Sequence, residues 1–474
     1  MPSRKAVLVG RTGRAGRPGH GPDRRLVHPG GRARFGRGGG RGGRSGRVAR
    51  RASRSGHPVV RTLTVMTSTS RRAVGAVLST LLGGLVGSLV AGPPAHSAAA
   101  ADPCTESVPF TARTDGYRGF RIPAVIEAGG DGGRTGPRVL VAFAEGRVHS
   151  LADDGDIDVV ARRSLDGGCT WGPLRVVADA GEDTIGNPSP VVDPATGRIV
   201  LLSCRNAHGV MGNRRVFVQH SDDGGATFSP PREITGQVKP EHWNWYGTGP
   251  GHGLALRHGP HVGRLLVPAN HSHRTTNSAH RSGAHSLYSD DGGRTWHVGY
   301  VAQPADENLR LEENTFAELP DGRIYSNVRN QSPASTATRA DAYLEPGGTA
   351  LLTPYRPRPS LVGPVVHGGL LWVEPRPPLP PFLLFSGPAD PGSRRAMTLR
   401  VSHDRGLTWH AGPRLTENPA AYSDLVPLDR DTVGVLYETG AGSPYETITF
   451  TKVPVRSLVP EDPGDADTRA PSVP

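Results

Sequence analysis

Cysteine is scarce in this chain: Cys104, Cys169 and Cys204 are all that 474 residues contain. Three thiols allow one disulfide with one left over, so no disulfide framework holds the fold together and the core must do so by burial. No pair stands as Cys-x-x-Cys, which removes the redox and structural-zinc signatures. Amphipathic helical patterns are also missing, which excludes helical bundles and alternating α/β folds. Acid is nearly absent from residues 1–65, where Asp23 alone faces 17 of the 55 lysines and arginines. Arg71 and Arg72 follow, and from residue 73 onward 36 bases meet 42 acids. The formal charge of +12 therefore sits in the leader, and the body is mildly acidic, at about −6.

The stretch "RFGRGGGRGGRSGRVARR" has the arginine-glycine composition that neutralises phosphates, but Phe35 is its one base-stacking ring. Residues 1–65 are expected to be a disordered, low-complexity extension or a wrongly placed start, with no nucleic-acid partner. Residues 66–101 have the layout of a secretory signal peptide. Arg71 and Arg72 precede an apolar run from Ala73 to Gly92, and small residues follow up to a cleavage point between Ser97 and Asp102. A membrane anchor is the competing reading of a run this long, but glycine and serine weaken it. The expectation is an exported, extracellular monomer with no membrane span in the mature protein. Residues 459–474 are too short and polar to fold.

Residues 102–458 read as an all-β body. Short runs such as "RVLVAF", "RIVLLS" and "PFLLFS" alternate with Gly, Pro, Asp and Asn, the pattern of strands and turns. One turn recurs as "SLDGGCTW", "SDDGGATF", "SDDGGRTW" and "SHDRGLTW", placing Asp166, Asp223, Asp291 and Asp404 where a carboxylate can accept backbone N–H groups. The glycine two residues later supplies positive φ, and the aromatic ring is free to pack between sheets. Successive aspartates stand 57, 68 and 113 residues apart. The last gap is close to twice the first, as if one unit had lost its motif. A repeat of about 59 residues with four strands per unit predicts a six-bladed β-propeller. Four copies of one aspartate cannot line one site, so these turns are read as structural.

Together with these turns, "FRIP" at 120–123 resembles the sialidase (neuraminidase) family of Asp-box propellers. The resemblance implies a retaining exo-α-sialidase that removes terminal sialic acid from glycoproteins, gangliosides and oligosaccharides without a cofactor or metal. It implies three arginines around the sugar carboxylate: Arg121, Arg329 in "SNVRN", and Arg394 in "GSRRAM", with Arg395 beside it as the alternative. Guanidinium suits that task because it is planar, bidentate and always charged. The family's nucleophile matches Tyr422 in "AAYSDLVPL" and its base matches Glu313 in "LEENTF". A neutral phenol avoids the repulsion that a carboxylate nucleophile would meet at an anomeric carbon bearing its own carboxylate. The acid/base aspartate maps to Asp153, counted from Arg147, with Asp154 as the alternative. Asp156 and Asp158 fit a solvated acidic loop better. Arg147 is implied to touch the ring, Glu438 in "VLYETG" to orient Arg121, and Asn187 to lie near the 4-position or the acyl amide.

Residues 242–285 hold eight histidines, including His271 and His273, but with irregular spacing and no His-Glu-x-x-His, so no metal is expected. Trp243, Trp245 and Tyr246 are candidates for the site mouth or equally for the core. Trans-sialylation and preference for a deaminated sugar are the competing reactions on the same residues. A catalytically silent propeller that binds glycans or proteins is the competing class.

Overall fold

Glycine, proline and aspartate interrupt the chain every few residues, and between them it runs almost wholly as strands. The computed structural model describes residues 104–129, 138–273 and 281–459. Residues 1–65, the stretch 66–101 expected to be a signal peptide, and the tail from residue 460 lie outside the described residues. The N-terminal strand β1 (Glu106–Thr111) pairs antiparallel with the C-terminal strand β25 (Thr447–Pro454). Beside them lie β24 (Thr432–Thr439) and β23 (Ala420–Pro427), so the two ends of the body close in one four-stranded sheet. A disulfide between Cys104 and Cys169 ties the start of β1 to the next sheet, and Cys204 is free and buried.

Three further sheets stand separately. One comprises β10 (Trp243–Thr248), β11 (Leu254–Ala255), β12 (Leu265–His273), β13 (Ser282–Ser289) and β14 (His297–Ala302). The next comprises β15 (Leu311–Glu318), β16 (Ile324–Asn330), β17 (Arg339–Leu344) and β18 (Arg356–Pro357). The third comprises β19 (Gly369–Val373), β20 (Phe382–Pro388), β21 (Met397–Ser402) and β22 (His410–Arg414).

The expected division into six separate units is not met in the region before these. Eight strands form one hydrogen-bonded sheet: β2 (Gly119–Ala128), β3 (Val139–Arg147), β4 (Ile157–Ser164), β5 (Arg175–Ala178), β6 (Thr184–Val192), β7 (Ile199–Asn206), β8 (Arg215–Ser221) and β9 (Arg232–Glu233). Its halves join at one parallel pair, Ile157 with Thr184. Elsewhere they pack face to face, with Phe143 and Val159 of the first half meeting Ile185 and Leu201 of the second. The result is an all-β, propeller-like arrangement.

The apolar core is divided in the same way, because each strand group hides one face against its neighbour on either side. Leu202 and Val218 meet Trp243 and Val267 at one interface. Leu266, the next residue back along β12, turns to the opposite face and packs with Phe316 and Ile324. Tyr325 meets Phe385 and Trp409, and Leu399 meets Val435. Phe450 packs with Phe120 and Leu140, which returns the circuit to its start. Strands at the inner side of each group follow that circuit: β2 lies against β6 and β23, β12 against β6 and β15, and β19 against β15 and β23. At the centre, buried Asp424 on β23 accepts the backbone N–H groups of Val125 and His252 and the ring Nδ1–H of His252 at 2.8–3.1 Å.

The four repeated turns are built as their sequence implies. Asp166 accepts the Thr170 hydroxyl at 2.6 Å and the Thr170 N–H at 2.9 Å, and Asp223, Asp291 and Asp404 accept the same pair from Thr227, Thr295 and Thr408. Gly168 and Gly406 have φ of +89° and +98°, and a Cβ at either would stand 2.2 Å from Phe450 or 2.4 Å from Tyr325 on the neighbouring sheet. The turn is therefore also a staple between strand groups. The unit between the third and fourth motifs is β15–β18, whose last turn keeps the same logic with different letters. There the Thr349 hydroxyl donates to Glu345 at 2.5 Å, again four residues apart, and Gly348 lies against Leu266.

Burial at the turns pushes these carboxyls up, but the threonine and backbone donors outweigh it and bring Asp166 and Asp223 down to about 2. A carboxyl held below its unfolded value of roughly 4 stabilises the fold above that pH and loses the contribution as pH falls through its folded value. The stability gap between wild type and Asp223→Asn is thus expected to be full above about pH 4 and to close toward pH 2. Urea titrations of both proteins across that range measure it.

Candidate active site

Most strands that begin a unit carry a break in register at the same end. The breaks fall at Arg121/Ala124, Gly186/Ser189, Trp243/Tyr246, Leu311/Asn314 and Ala420/Ser423. A bulge takes a side chain out of the in–out alternation and re-aims it. Arg121 borders the first break, and Asn187, Trp245, Glu313 and Tyr422 lie inside the others. Ile122 and Asn187 have φ of +57° and +55°. That region is tolerable for asparagine and strained for a β-branched side chain. Each distorted N–H is caught by a buried carboxylate that also pairs with an arginine. Glu438 accepts Ile122 N–H at 2.9 Å and Arg121 Nε at 2.8 Å. Glu145 accepts Asn187 N–H at 2.8 Å and Arg147 Nη2 at 2.6 Å.

Residues far apart in sequence meet around Tyr422. Its hydroxyl donates to Glu313 Oε1 at 2.6 Å, and Arg329 Nη1 reaches Glu313 Oε2 at 2.9 Å and the Tyr422 oxygen at 3.2 Å. The guanidinium of Arg121 stands 5.2 Å from the Tyr422 ring centre and that of Arg394 stands 5.7 Å from it. Arg121, Arg329 and Arg394 thus converge on one phenol. Arg394 also donates to the Tyr445 hydroxyl at 2.9 Å, whereas Arg395 turns outward to the carbonyl of Glu417. Glu438 holds Arg121 with no exposed surface of its own and accepts the Tyr422 N–H at 3.1 Å, so one carboxylate registers the arginine against the tyrosine.

Electrostatics set the resting protonation of this pair. Burial and the charge of Glu313 push the Tyr422 phenol well above its ordinary range, against the pull of Arg329 and Arg121. Burial works to raise Glu313 as well, but the charge of Arg329 and, where its imidazole is protonated, that of His367, with the phenol hydrogen bond, bring it down to about 2. The proton therefore rests on oxygen of the tyrosine and the neighbouring carboxylate is ionised.

The acidic loop is arranged differently from the sequence expectation in two respects. Arg147 is buried, and its guanidinium is spent on protein: on Glu145, on the carbonyls of Leu151 and Ala152, and on Asp153 Oδ1 at 2.9 Å. It anchors the loop, while Asp153 itself is 62% exposed. Asp158 is not part of a solvated loop. It is buried on β4, accepts the Tyr117 hydroxyl at 2.7 Å, and burial raises its carboxyl to about 6. Both faces of this part of β4 are covered, Ile157, Asp158 and Val159 being buried in succession, so alternation does not return it to solvent. Asp154 is half-buried beside Asp153.

Asn187 faces Arg214, whose Nη1 donates to its side-chain oxygen at 2.5 Å and whose guanidinium lies 3.7 Å over the Trp245 ring. Trp245 therefore borders the site, whereas Trp243 and Tyr246 belong to the core. His271 stacks on Trp243 at 3.7 Å and its Nδ1 lies at hydrogen-bond distance, 3.0 Å, from His285 Nδ1, so both serve the interior. Among the described residues no cluster of His, Cys, Asp or Glu could hold a metal ion.

Sequence reasoning missed Glu145, Arg214, His367 and Tyr445. Glu145 had a signal, because "EGR" on a strand puts Glu145 and Arg147 on one face. The other three lie on turns and strand starts with no motif around them, and only the closed ring brings them to Tyr422 or Asn187.

Comparison with known proteins adds an independent line. Residues 138–435 match the BNR repeat-like domain family. A sialidase of Micromonospora viridifaciens is 33% identical over 70% of this chain and 51% of its own length. An exo-alpha-sialidase of Aspergillus fumigatus is 31% identical over 68% of this chain and 79% of its own. The chain thus spans about half of the first relative and about four fifths of the second. Among solved structures, a Hadza microbial sialidase superposes with a TM-score of 0.63 at 27% identity, covering 75% of this chain and 69% of that one. A leech intramolecular trans-sialidase gives 0.61 at 16% identity over 74% of this chain and 70% of its own, a likeness of fold.

Proposed function

Because this chain belongs to the BNR/Asp-box sialidase family of glycoside hydrolases, we propose that it is an exo-α-sialidase acting with retention on terminal sialic acid. The observation that carries this reading is the phenol of Tyr422 on the carboxylate of Glu313 with three arginines around them. The sugar's carboxylate takes hydrogen bonds from Arg121, Arg329 and Arg394. Arg329 also serves Glu313, so an incoming anion shares its charge and raises the proton affinity of Glu313. The phenol proton passes to Glu313 as the oxygen attacks the anomeric carbon, and the glycosidic bond breaks with a proton delivered to the leaving oxygen by Asp153. Asp153 then takes a proton from the water that cleaves the glycosyl–tyrosine bond, and Glu313 returns its proton to the phenol. Asp153 enters the first step as the neutral acid and leaves it as the carboxylate that pairs with Arg147 and serves as base in the second, so Arg147 fixes its place through both.

Six blades are the natural division of this fold. The eight-stranded sheet counts as two, since one residue pair joins its halves and an apolar cluster separates their faces. Export follows from residues 66–101 and fits the disulfide between Cys104 and Cys169, which an oxidising compartment preserves.

The test is release of a fluorogenic aglycone from a sialoside by the purified protein, with proton NMR of the sugar as it forms. Release with the α-anomer appearing first is expected. No release at any pH from 4 to 8, at about micromolar enzyme, supports a binding propeller instead, and the β-anomer first contradicts the tyrosine mechanism.

A further inference from the structure

His367 is the buried group that the proposed reaction leaves unused. It has 1% of its surface exposed, and neither ring nitrogen has a hydrogen-bond partner among the described residues. A buried imidazole left without partners is costly and calls for a reason. Its ring lies nearly parallel to that of Tyr422, 21° apart with centres at 5.7 Å. The backbone fixes it there. Val365 O accepts Arg394 Nη2 and Val366 O accepts Arg339 Nη1, so the two residues before it are tied to arginines at the site. The two after it are Gly368 and Gly369, where a Cβ would stand 2.4 Å from Phe385 and 2.8 Å from the Ser386 hydroxyl. The strand start is thus pressed against its neighbours and the imidazole has one place to go.

We propose that His367 is a positioning residue for Tyr422: its neutral ring is the surface that holds the phenol on Glu313, and protonation of that ring disarms the pair. The proposal rests on the sialidase reading above. The charged and titratable groups facing His367 are Glu313 on β15, Arg329 on β16, Arg339 on β17, and Tyr422 and Asp424 on β23. Burial holds the imidazole down to about 4, with Arg339 and Arg329 adding to the effect and Glu313 and Asp424 opposing it. Above that pH the ring is neutral. Below it a cation enters beside Glu313, makes that carboxylate a weaker base and repels the two arginines.

Three proteins decide the matter with the fluorogenic sialoside: wild type, His367→Ala and His367→Phe. The alanine variant removes the stacking surface and is expected to lower kcat about tenfold with KM within about twofold, since the arginines, not the imidazole, hold the sugar. Phenylalanine keeps the surface and cannot take a proton. It is expected to restore most of kcat and to displace the acid limb of the pH profile below the wild-type limb near pH 4, with circular dichroism reporting an intact fold at each pH. If the alanine variant does not fold, the acid limb of the phenylalanine variant still decides. The proposal is overturned if His367→Ala turns over as fast as wild type, if His367→Phe is no faster than His367→Ala, or if its acid limb stays where wild type has it. Absence of turnover by wild type removes the sialidase reading and this inference together, whereas an active wild type with unaffected variants removes this inference alone.

Discussion

Tyr422→Phe is expected to lower kcat for sialoside hydrolysis by about a thousandfold or more, with a small change in KM. Phenylalanine fills the same space against His367 and between Arg121 and Arg394, so the pocket keeps its shape and its grip on the carboxylate. What it loses is the one oxygen that Glu313 can deprotonate at 2.6 Å. Residual turnover reflects what the substitution leaves in place: arginines that hold the sugar's carboxylate and Asp153 as proton donor to the leaving oxygen. Steady-state kinetics beside a thermal melt separate loss of chemistry from loss of fold. A variant with wild-type kcat would take Tyr422 out of the reaction.

Glu438→Gln is the second large effect, and it acts on stability as well as binding. The carboxylate satisfies three donors at once: Arg121 Nε, Ile122 N–H and Tyr422 N–H. Glutamine has one acceptor oxygen and an NH2 that faces at least one of those donors. It also leaves the Arg121 guanidinium, 7% exposed, without its counter-charge. Breaking a buried pair from one side costs about 3–5 kcal/mol. The denaturation midpoint is expected to fall accordingly, and KM for the sialoside to rise because Arg121 no longer points at the carboxylate. A melt unchanged from wild type would show that Arg121 finds another partner in the ring.

Both substitutions act on contacts with very different visibility in the sequence. The repeated turns were legible because each closes on itself: Asp166 and Thr170 are four residues apart, and hydrogen bonds at that range depend on local geometry alone. The unit between the third and fourth motifs was legible only as a spacing. Glu345 and Thr349 perform the same closure with letters that no pattern would select. Arg121, Arg329 and Arg394, with Arg395 as the alternative to the last, came from family motifs; the structure adds that Arg394 donates to Tyr445 while Arg395 turns to the carbonyl of Glu417, a difference that two adjacent arginines in a sequence do not display.

Composition, period and local turn chemistry determined that this is an all-β chain of repeated strand groups with its basic charge outside the body. The resemblance to the sialidase family, carried by "FRIP" and the motifs downstream, supplied Arg121, Arg329, Arg394 and Glu313 as candidates around Tyr422. Tertiary structure decided the rest: that two strand groups share one sheet, that Asp158 is buried, that Arg147 holds a loop, and that His367 lies against the phenol. The physical reason is range. Arg121 and Glu438 are 317 residues apart, and a contact at that separation is set by closure of the whole ring and by bulges that re-aim side chains, neither of which is encoded next to the residues it brings together.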